Sequence, residues 1–329
     1  MYETNVKLKK NIAILAGGFS AEREVSLKSA QIVLKNISKK YHAYLIIVDS
    51  NEWNVKLNGN YYAVDKMNFT ANINNQTIKF DFAFIVIHGT PGEDGKIPLL
   101  FERINIPFSC SNSKASALTF NKYNCNTHLI KHDFNCAKSI LIKKNNSINI
   151  QKIITHTSIP CFVKPNNGGS SFGISKIKNK QELYPAISNA FKYDNEVIIE
   201  SFLEGTEITC GVHNFDSNLF AFPLTEIVSE NDFFDYDAKY QGRSEEITPA
   251  RVNNTITKEI QSISKNIYSL LNLNGIARID FIIVNDKPFV IEVNTIPGLS
   301  SESIIPKMAQ SVGFSLEKLF LKIIETNLK

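Results

Sequence analysis

Paired cysteines, a bilayer-length apolar run and a strong excess of one charge are all missing from this sequence. The five cysteines (Cys110, Cys125, Cys136, Cys161, Cys210) are odd in number and never stand in C-x-x-C spacing, so they read as reduced thiols of a cytoplasmic protein. No apolar stretch approaches the roughly 18 residues that cross a bilayer, which excludes a membrane span. Lysine and arginine total 36 against 32 acids, a net charge of +4, and the lysines are scattered among acids. A nucleic-acid partner is therefore not expected. Lys7, Lys9 and Lys10 precede an apolar run from Ile12 to Ala16 that is too short for a secretory signal, conventionally about 7–15 residues, so a first β-strand is expected there. Neither G-x-x-x-x-G-K-[ST] nor a G-x-G-x-x-G after the first strand is present, and no internal repeat is visible. Without that second fingerprint, Asp49 at the end of YLIIVDS is weak support for a dinucleotide oxidoreductase.

What is present is a chain of 329 residues with 43% hydrophobic content, enough for two or three domains of about 100–200 residues. Residues 1–111 alternate strand NIAILA, a helix from Ala21 to Ile37, strands AYLIIVDS and FDFAFIVIHG, and a helix from Ile97 to Arg103. Nearly continuous apolar strands separated by helices predict a doubly wound parallel α/β domain covered on both faces. Residues 112–204 open with a helix SKASALTFNKYNCNTHLIKH, followed by a polar loop at 143–152 and strands PCFVKP, ISKI and EVIIESFL. Residues 205–329 hold strands ITCGVHN and LFAFPLTEI, a polar aromatic loop FFDYDAKYQGRSEE, a helix, a hairpin and a C-terminal helix. These last two segments are α+β with mainly antiparallel sheet.

The hairpin ARIDFIIVNDKPFVIEVN argues for a cation from geometry alone. With Asn285, Asp286 and Lys287 as the loop, Val284 faces Pro288, Asp280 faces Glu292, and Arg278 faces Asn294 on one side of the ribbon. The other side carries Ile279, Phe281 and Ile283 against Phe289, Ile291 and Val293, and is the core face. Opposed Cβ atoms lie about 4.5–5.5 Å apart, so two carboxylates there repel unless something positive sits between them. Arg278 pairing with both acids is one solution; Mg²⁺ held by Asp280, Glu292, the Asn294 amide oxygen and phosphate oxygens is the other.

KPNNGGSSFG links two strands and is no Walker loop, so it caps a β-hairpin. Its glycines allow close backbone approach, Ser170 and Ser171 offer phosphate donors, and Lys164 adds a charge. A plain surface turn is the alternative when the loop is taken alone.

In order, AGGFSAEREVSL, HGTPGEDG, VKPNNGGSSFG, DYDAKY, ARIDF and EVNTIPG resemble the D-alanine–D-alanine ligases over nearly the whole chain. The resemblance implies an N-terminal α/β domain followed by a two-domain ATP-grasp fold, with ATP and two Mg²⁺ (or Mn²⁺) ions between the central and C-terminal sheets, D-alanine as the other substrate, and a homodimer. It places Lys122, Lys164, Ser171 and Lys239 on ATP phosphates, Glu200, Phe202 and Leu203 at the adenine hinge, Glu207 at the ribose, and Asp280, Glu292 and Asn294 on the metal. It also implies that Glu22 meets the first D-alanine's ammonium with Ser170 and Tyr240 in one hydrogen-bonded group and His88 nearby. Arg278 and the Gly298 backbone would hold the oxyanion, and Ser303 the second carboxylate. Each of the first three has a plainer role available: a helix-dipole acid for Glu22, a loop anchor for Tyr240, a structural histidine for His88. Asn121 before Lys122, Phe202 in the hinge and Gly168 depart from the usual family residues. A non-catalytic nucleotide-binding module is disfavoured because Asp280, Glu292 and Arg278 are all present. By the same resemblance, Tyr240 implies the peptide-forming rather than the D-alanine–D-lactate type.

Overall fold

Strand β1 (Asn11–Gly17) is apolar almost throughout and lies at the heart of the first sheet. The computed structural model describes residues 9–169, 172–215, 218–229 and 244–328. Parallel to β1 run β2 (His42–Val48) on one side and β7 (Phe82–Ile85) on the other. The sequence reading placed nothing between these two strands. Here β3 (Trp53–Leu57), β4 (Asn60–Asp65), β5 (Thr70–Ile73) and β6 (Gln76–Lys79) extend the sheet antiparallel in the order β6-β5-β4-β3-β2-β1-β7. The doubly wound unit is thus three parallel strands with an antiparallel wing. Its local signal was Asn58-Gly59 and Asn74-Asn75, two-residue turns with φ positive at both positions, the usual hairpin chemistry.

The second sheet, β10-β9-β11-β8, uses β8 (Ser139–Lys143), β9 (Cys161–Pro165), β10 (Ser175–Ile177) and β11 (Glu196–Ser201). All three of its pairings are antiparallel, so KPNNGGSSFG does cap a hairpin between β9 and β10. The expected helix over 113–132 is two helices, Ser113–Phe120 and Lys122–Ile130. Asn121 leaves the helical region between them, and its side chain caps the second by accepting from the Asn124 N–H.

The third sheet contains β12 (Thr206–Phe215), β13 (Asn218–Ala221), β14 (Thr225–Ser229), β15 (Ser244–Ile247), β16 (Ile276–Val284) and β17 (Lys287–Asn294). LFAFPLTEI, expected as one strand, is divided between β13 and β14 because Pro223 cannot donate to a ladder. The hairpin loop is one residue shorter than expected. Val284 pairs with Lys287, and Asn285 and Asp286 (φ 48° and 60°) form a primed two-residue turn. A β-bulge between Asp280 and Phe281 then absorbs Ile291, so that Asp280 still faces Glu292 and Arg278 still faces Asn294. On the turn side of the bulge the parity of β17 changes, and Pro288 and Val290 are buried in place of Phe289 and Ile291.

After the hairpin the chain returns to the first sheet. Helices Ile304–Ser311 and Leu316–Asn327 share a buried cluster with Ile12, Ile14 and Phe84, where the Phe84 and Phe320 rings meet edge-on at 6.1 Å. The opposite face of that sheet is filled by Trp53, Phe69, Phe80 and Phe101. The N- and C-terminal segments are thereby locked together, with the cleft between them and the second sheet. No helix of the described residues is long and apolar enough to cross a membrane.

Candidate active site

Two connected lobes, about 870 and 690 Å³, form the cleft, and both are lined by Glu22, Lys122, Gly168, Gly169, Arg278 and Glu292. The larger lobe is closed by aromatic and aliphatic side chains of the second sheet and by Ile282 and Ile291 of the third. Phe162 and Phe202 stand 6.0 Å apart in it, and the Lys176 ammonium lies 4.1 Å from the centre of the Phe202 ring. This apolar slot with cations at its edge suits a planar heterocycle attached to phosphates.

Lys164, at the end of β9, is almost sequestered and bonds the buried Glu200 at 2.8 Å. Burial acts to lower the Lys164 pKa, but Glu200, Glu292 and Glu207 outweigh it and the net shift is upward. Asn126 donates to the other Glu200 oxygen at 2.8 Å, so both oxygens of this buried carboxylate are engaged within the protein. Lys122 opens its helix with Nζ 2.6 Å from the Gly168 carbonyl and 3.8 Å from Glu292. Of the three lysines named from the sequence, Lys239 lies outside the described residues, and Lys122 and Lys164 line one lobe. Phe202, Leu203 and Glu207 line it as well.

The hairpin face brings Arg278, Asp280, Glu292 and Asn294 together as expected. Arg278 forks onto Asp280, Nε to Oδ1 and Nη2 to Oδ2, both at 2.8 Å. Thr209 donates to Asp280 Oδ1 at 2.5 Å and the Asn294 amide nitrogen to Oδ2 at 3.0 Å, so each oxygen accepts two hydrogen bonds. Burial opposes the Arg278 charge, but Asp280, with Glu292 behind it, raises its pKa on balance, so this guanidinium is permanently cationic. Among the described residues no three His, Cys, Asp or Glu side chains group as a metal site. The oxygen set on offer is two opposed carboxylates and one amide, the hard donors that Mg²⁺ prefers. Turning the Asn294 amide would both present its oxygen and release one Asp280 lone pair.

The smaller lobe is bounded by two loops stapled to each other. His88 Nδ1 bonds the Ile296 carbonyl at 2.8 Å, and Glu93 accepts from the Ile296 N–H at 3.4 Å and from the Gly89 N–H at 2.8 Å. Burial foremost, then the nearby Glu22 charge, pushes the Glu93 carboxyl up to about 8. His88 is shifted down by burial, against the pull of Glu22, and its Nε2 has no hydrogen-bond partner among the described residues. Glu22 occupies the N-cap position of helix Arg23–Ile37 without capping it, and its carboxylate reaches the glycine loop instead. A Cβ on Gly169 would stand 2.8 Å from Glu22 Oε2, so a larger residue there would push the Glu22 carboxylate aside. Ser303 is the N-cap residue of helix Ile304–Ser311, with its hydroxyl 2.8 Å from Ser300 and close over Gly298. Ser170, Ser171, Lys239 and Tyr240 lie outside the described residues. Asp49, the one acid that favoured a dinucleotide, is instead paired with Arg23 at 2.8 Å.

Thr209, Asn126 and Glu93 were not singled out from the sequence. Thr209 and Asn126 act through partners 71 and 74 residues away, which leaves no local signal, whereas Glu93 sits inside HGTPGEDG and was legible as part of that motif.

Comparison with known proteins matches this arrangement. A D-alanine–D-alanine ligase of Flavobacterium johnsoniae is 46% identical over 321 residues, spanning 97% of this chain and 99% of its own. A D-Ala:D-Ser ligase structure from Enterococcus faecalis has a TM-score of 0.87 at 33% identity, covering 96% of this chain and 99% of that one. The Bacillus anthracis D-alanine–D-alanine ligase complexed with ATP gives 0.79 at 27% identity, covering 97% and 98%. The family model for the D-ala D-ala ligase N-terminus matches residues 11–111 and that for the C-terminus residues 127–325. Matched in both halves, the chain belongs to the D-alanine–D-alanine ligase family, and its second and third sheets are the two halves of an ATP-grasp.

Proposed function

We propose that the chain joins two D-alanine molecules into D-alanyl-D-alanine, with ATP converted to ADP and phosphate, as a cytoplasmic step in supplying peptidoglycan precursors. The observation that carries this reading is the convergence, in one cleft, of Lys122, Lys164, Arg278 and the opposed acids Asp280 and Glu292 with Glu22 at the glycine loop.

A carboxylate is a poor electrophile, so one oxygen of the first D-alanine carboxylate attacks the γ-phosphorus, the bond to the ADP oxygen breaks, and an acyl phosphate forms. Lys122 and Lys164 hold the phosphates in line, and Lys239 and Ser171 are assigned the same task by resemblance. Asp280, Glu292 and the Asn294 oxygen would hold Mg²⁺ or Mn²⁺, which supplies charge neutralisation at the transferring phosphoryl group. Glu22 takes the first ammonium, with Ser170 and Tyr240 as its partners. The second D-alanine, its carboxylate at Ser303 and the helix N-terminus behind it, loses a proton and attacks the acyl carbon. Arg278 and the Gly298 N–H stabilise the oxyanion, and phosphate leaves with the electron pair of the broken C–O bond. We read the active species as a homodimer, which light scattering on the purified protein tests.

Phosphate release with ATP, Mg²⁺ and D-alanine is the deciding assay, run beside D-serine, D-lactate and L-alanine as acceptors. Turnover with D-alanine and a dipeptide product are expected; phosphate release only with another acceptor would overturn the D-alanine assignment.

A further inference from the structure

In the smaller lobe a further carboxylate sits beside a cation that does not itself line the lobe. Glu246, on edge strand β15, faces into it, and Lys307 bonds its Oε2 at 3.1 Å. The carboxylate is 17% exposed and the ammonium 37%. Lys307 belongs to helix Ile304–Ser311, one turn beyond Ser303, and its N–H points back to the Ser303 carbonyl at 3.3 Å. Residues four apart share a helix face.

The charges of this lobe make the pair consequential. Glu22, Glu246, Glu292 and Glu302 line it beside Lys28, Lys122 and Arg278, while Glu93 stays protonated near neutral pH. A substrate whose carboxylate must settle at Ser303 therefore meets acids and cations in near balance, which one uncompensated carboxylate tips toward repulsion. Among these acids Glu246 has its counter-ion on the very helix that begins at Ser303.

We propose that Lys307 is a positioning residue for the acceptor. By neutralising Glu246 it removes a repulsion against the incoming carboxylate, and it ties β15 to the helix turn that receives that carboxylate. The proposal rests on the amino-acid ligase reading of this cleft, and the wild-type enzyme's own dipeptide synthesis tests that reading separately.

The two partners are not equivalent, and this separates an electrostatic role from a merely structural one. Lys307→Met leaves an unpaired carboxylate facing the acceptor. The acceptor constant for D-alanine should rise, roughly threefold to tenfold for one uncompensated charge at this range, with the ATP constant unchanged. Glu246→Gln removes the repelling charge and should not raise the acceptor constant. The double variant should return toward wild type, and Lys307→Arg should preserve it. At about 1 M salt, where the screening length falls to about 3 Å, the Lys307→Met defect should shrink. Equal damage from both single variants, or a Lys307→Met defect indifferent to salt, would reduce the pair to a structural tie. An unchanged acceptor constant in folded Lys307→Met would overturn the proposal, while failure of the wild type to form dipeptide would instead remove the reading beneath it.

Discussion

Glu292 and Asp280 face each other across β16 and β17, where Arg278 forks onto Asp280 and Lys122 lies 3.8 Å from Glu292. Two opposed carboxylates suit a hard cation arriving with the nucleotide. Glu292→Gln keeps the shape and removes the anion. We expect turnover to fall by about two orders of magnitude or more, with Mn²⁺ binding in the presence of ATP weakened roughly 10–100-fold and the thermal transition little changed. Near-normal activity at ordinary Mg²⁺ would remove Glu292 from the metal. Glu93 makes a second prediction through its proton. Its carboxyl is raised from an ordinary 4.5 to about 8, so the folded protein holds a proton that the unfolded chain releases. The stabilisation is complete below about 4.5 and is lost as pH climbs through about 8. Glu93→Gln stays neutral at every pH and still accepts a hydrogen bond. Its Tm should decline less than the wild type's between pH 6 and 9, by a few degrees on the usual scale, and superimposable Tm–pH curves would refute the protonated state.

The β16–β17 hairpin shows how an element can reach the right register by an unexpected route. A two-residue turn alone would set Asp280 opposite Ile291 and leave Glu292 on the core side; the bulge that accommodates Ile291 returns Glu292 to the cleft. Asn285 and Asp286 were expected in the loop together with Lys287, which instead belongs to β17, and no turn residue in the sequence marks the bulge. The turn itself is improvable: Asp286 sits at φ 60°, where glycine carries no steric penalty. Asp286→Gly should stabilise the protein by about 0.5–1 kcal/mol without altering kcat, measured by urea unfolding. A loss of stability would mean that the Asp286 side chain contributes more than its backbone strain costs.

At the scale of the whole molecule, three sheets and the two helices that follow the last hairpin surround one cleft. Nucleotide bound there should stabilise the folded chain by mass action, about 2.7 kcal/mol at a hundredfold excess over Kd, seen as a Tm several degrees higher with ATP and Mg²⁺. No shift at millimolar ATP would contradict the nucleotide lobe. Much of this site was legible in the order of residues: ARIDFIIVNDKPFVIEVN puts Arg278, Asp280, Glu292 and Asn294 on two paired strands, and the hairpin at KPNNGGSSFG follows from the strands on either side of it. Both are local facts, set by backbone geometry over some twenty residues or fewer. That Asp280 faces Glu292 needs the bulge at Ile291 as well. The antiparallel wing of the first sheet was written in Asn58-Gly59 and Asn74-Asn75, though its strands are short and half polar. Tertiary structure alone decided that Glu22 reaches Gly169, that Glu93 and His88 hold the two backbone groups of Ile296, and that Phe320 packs on Phe84. These contacts join segments more than a hundred residues apart, and such partners are chosen by the burial of whole sheet faces, which no local pattern of side chains encodes.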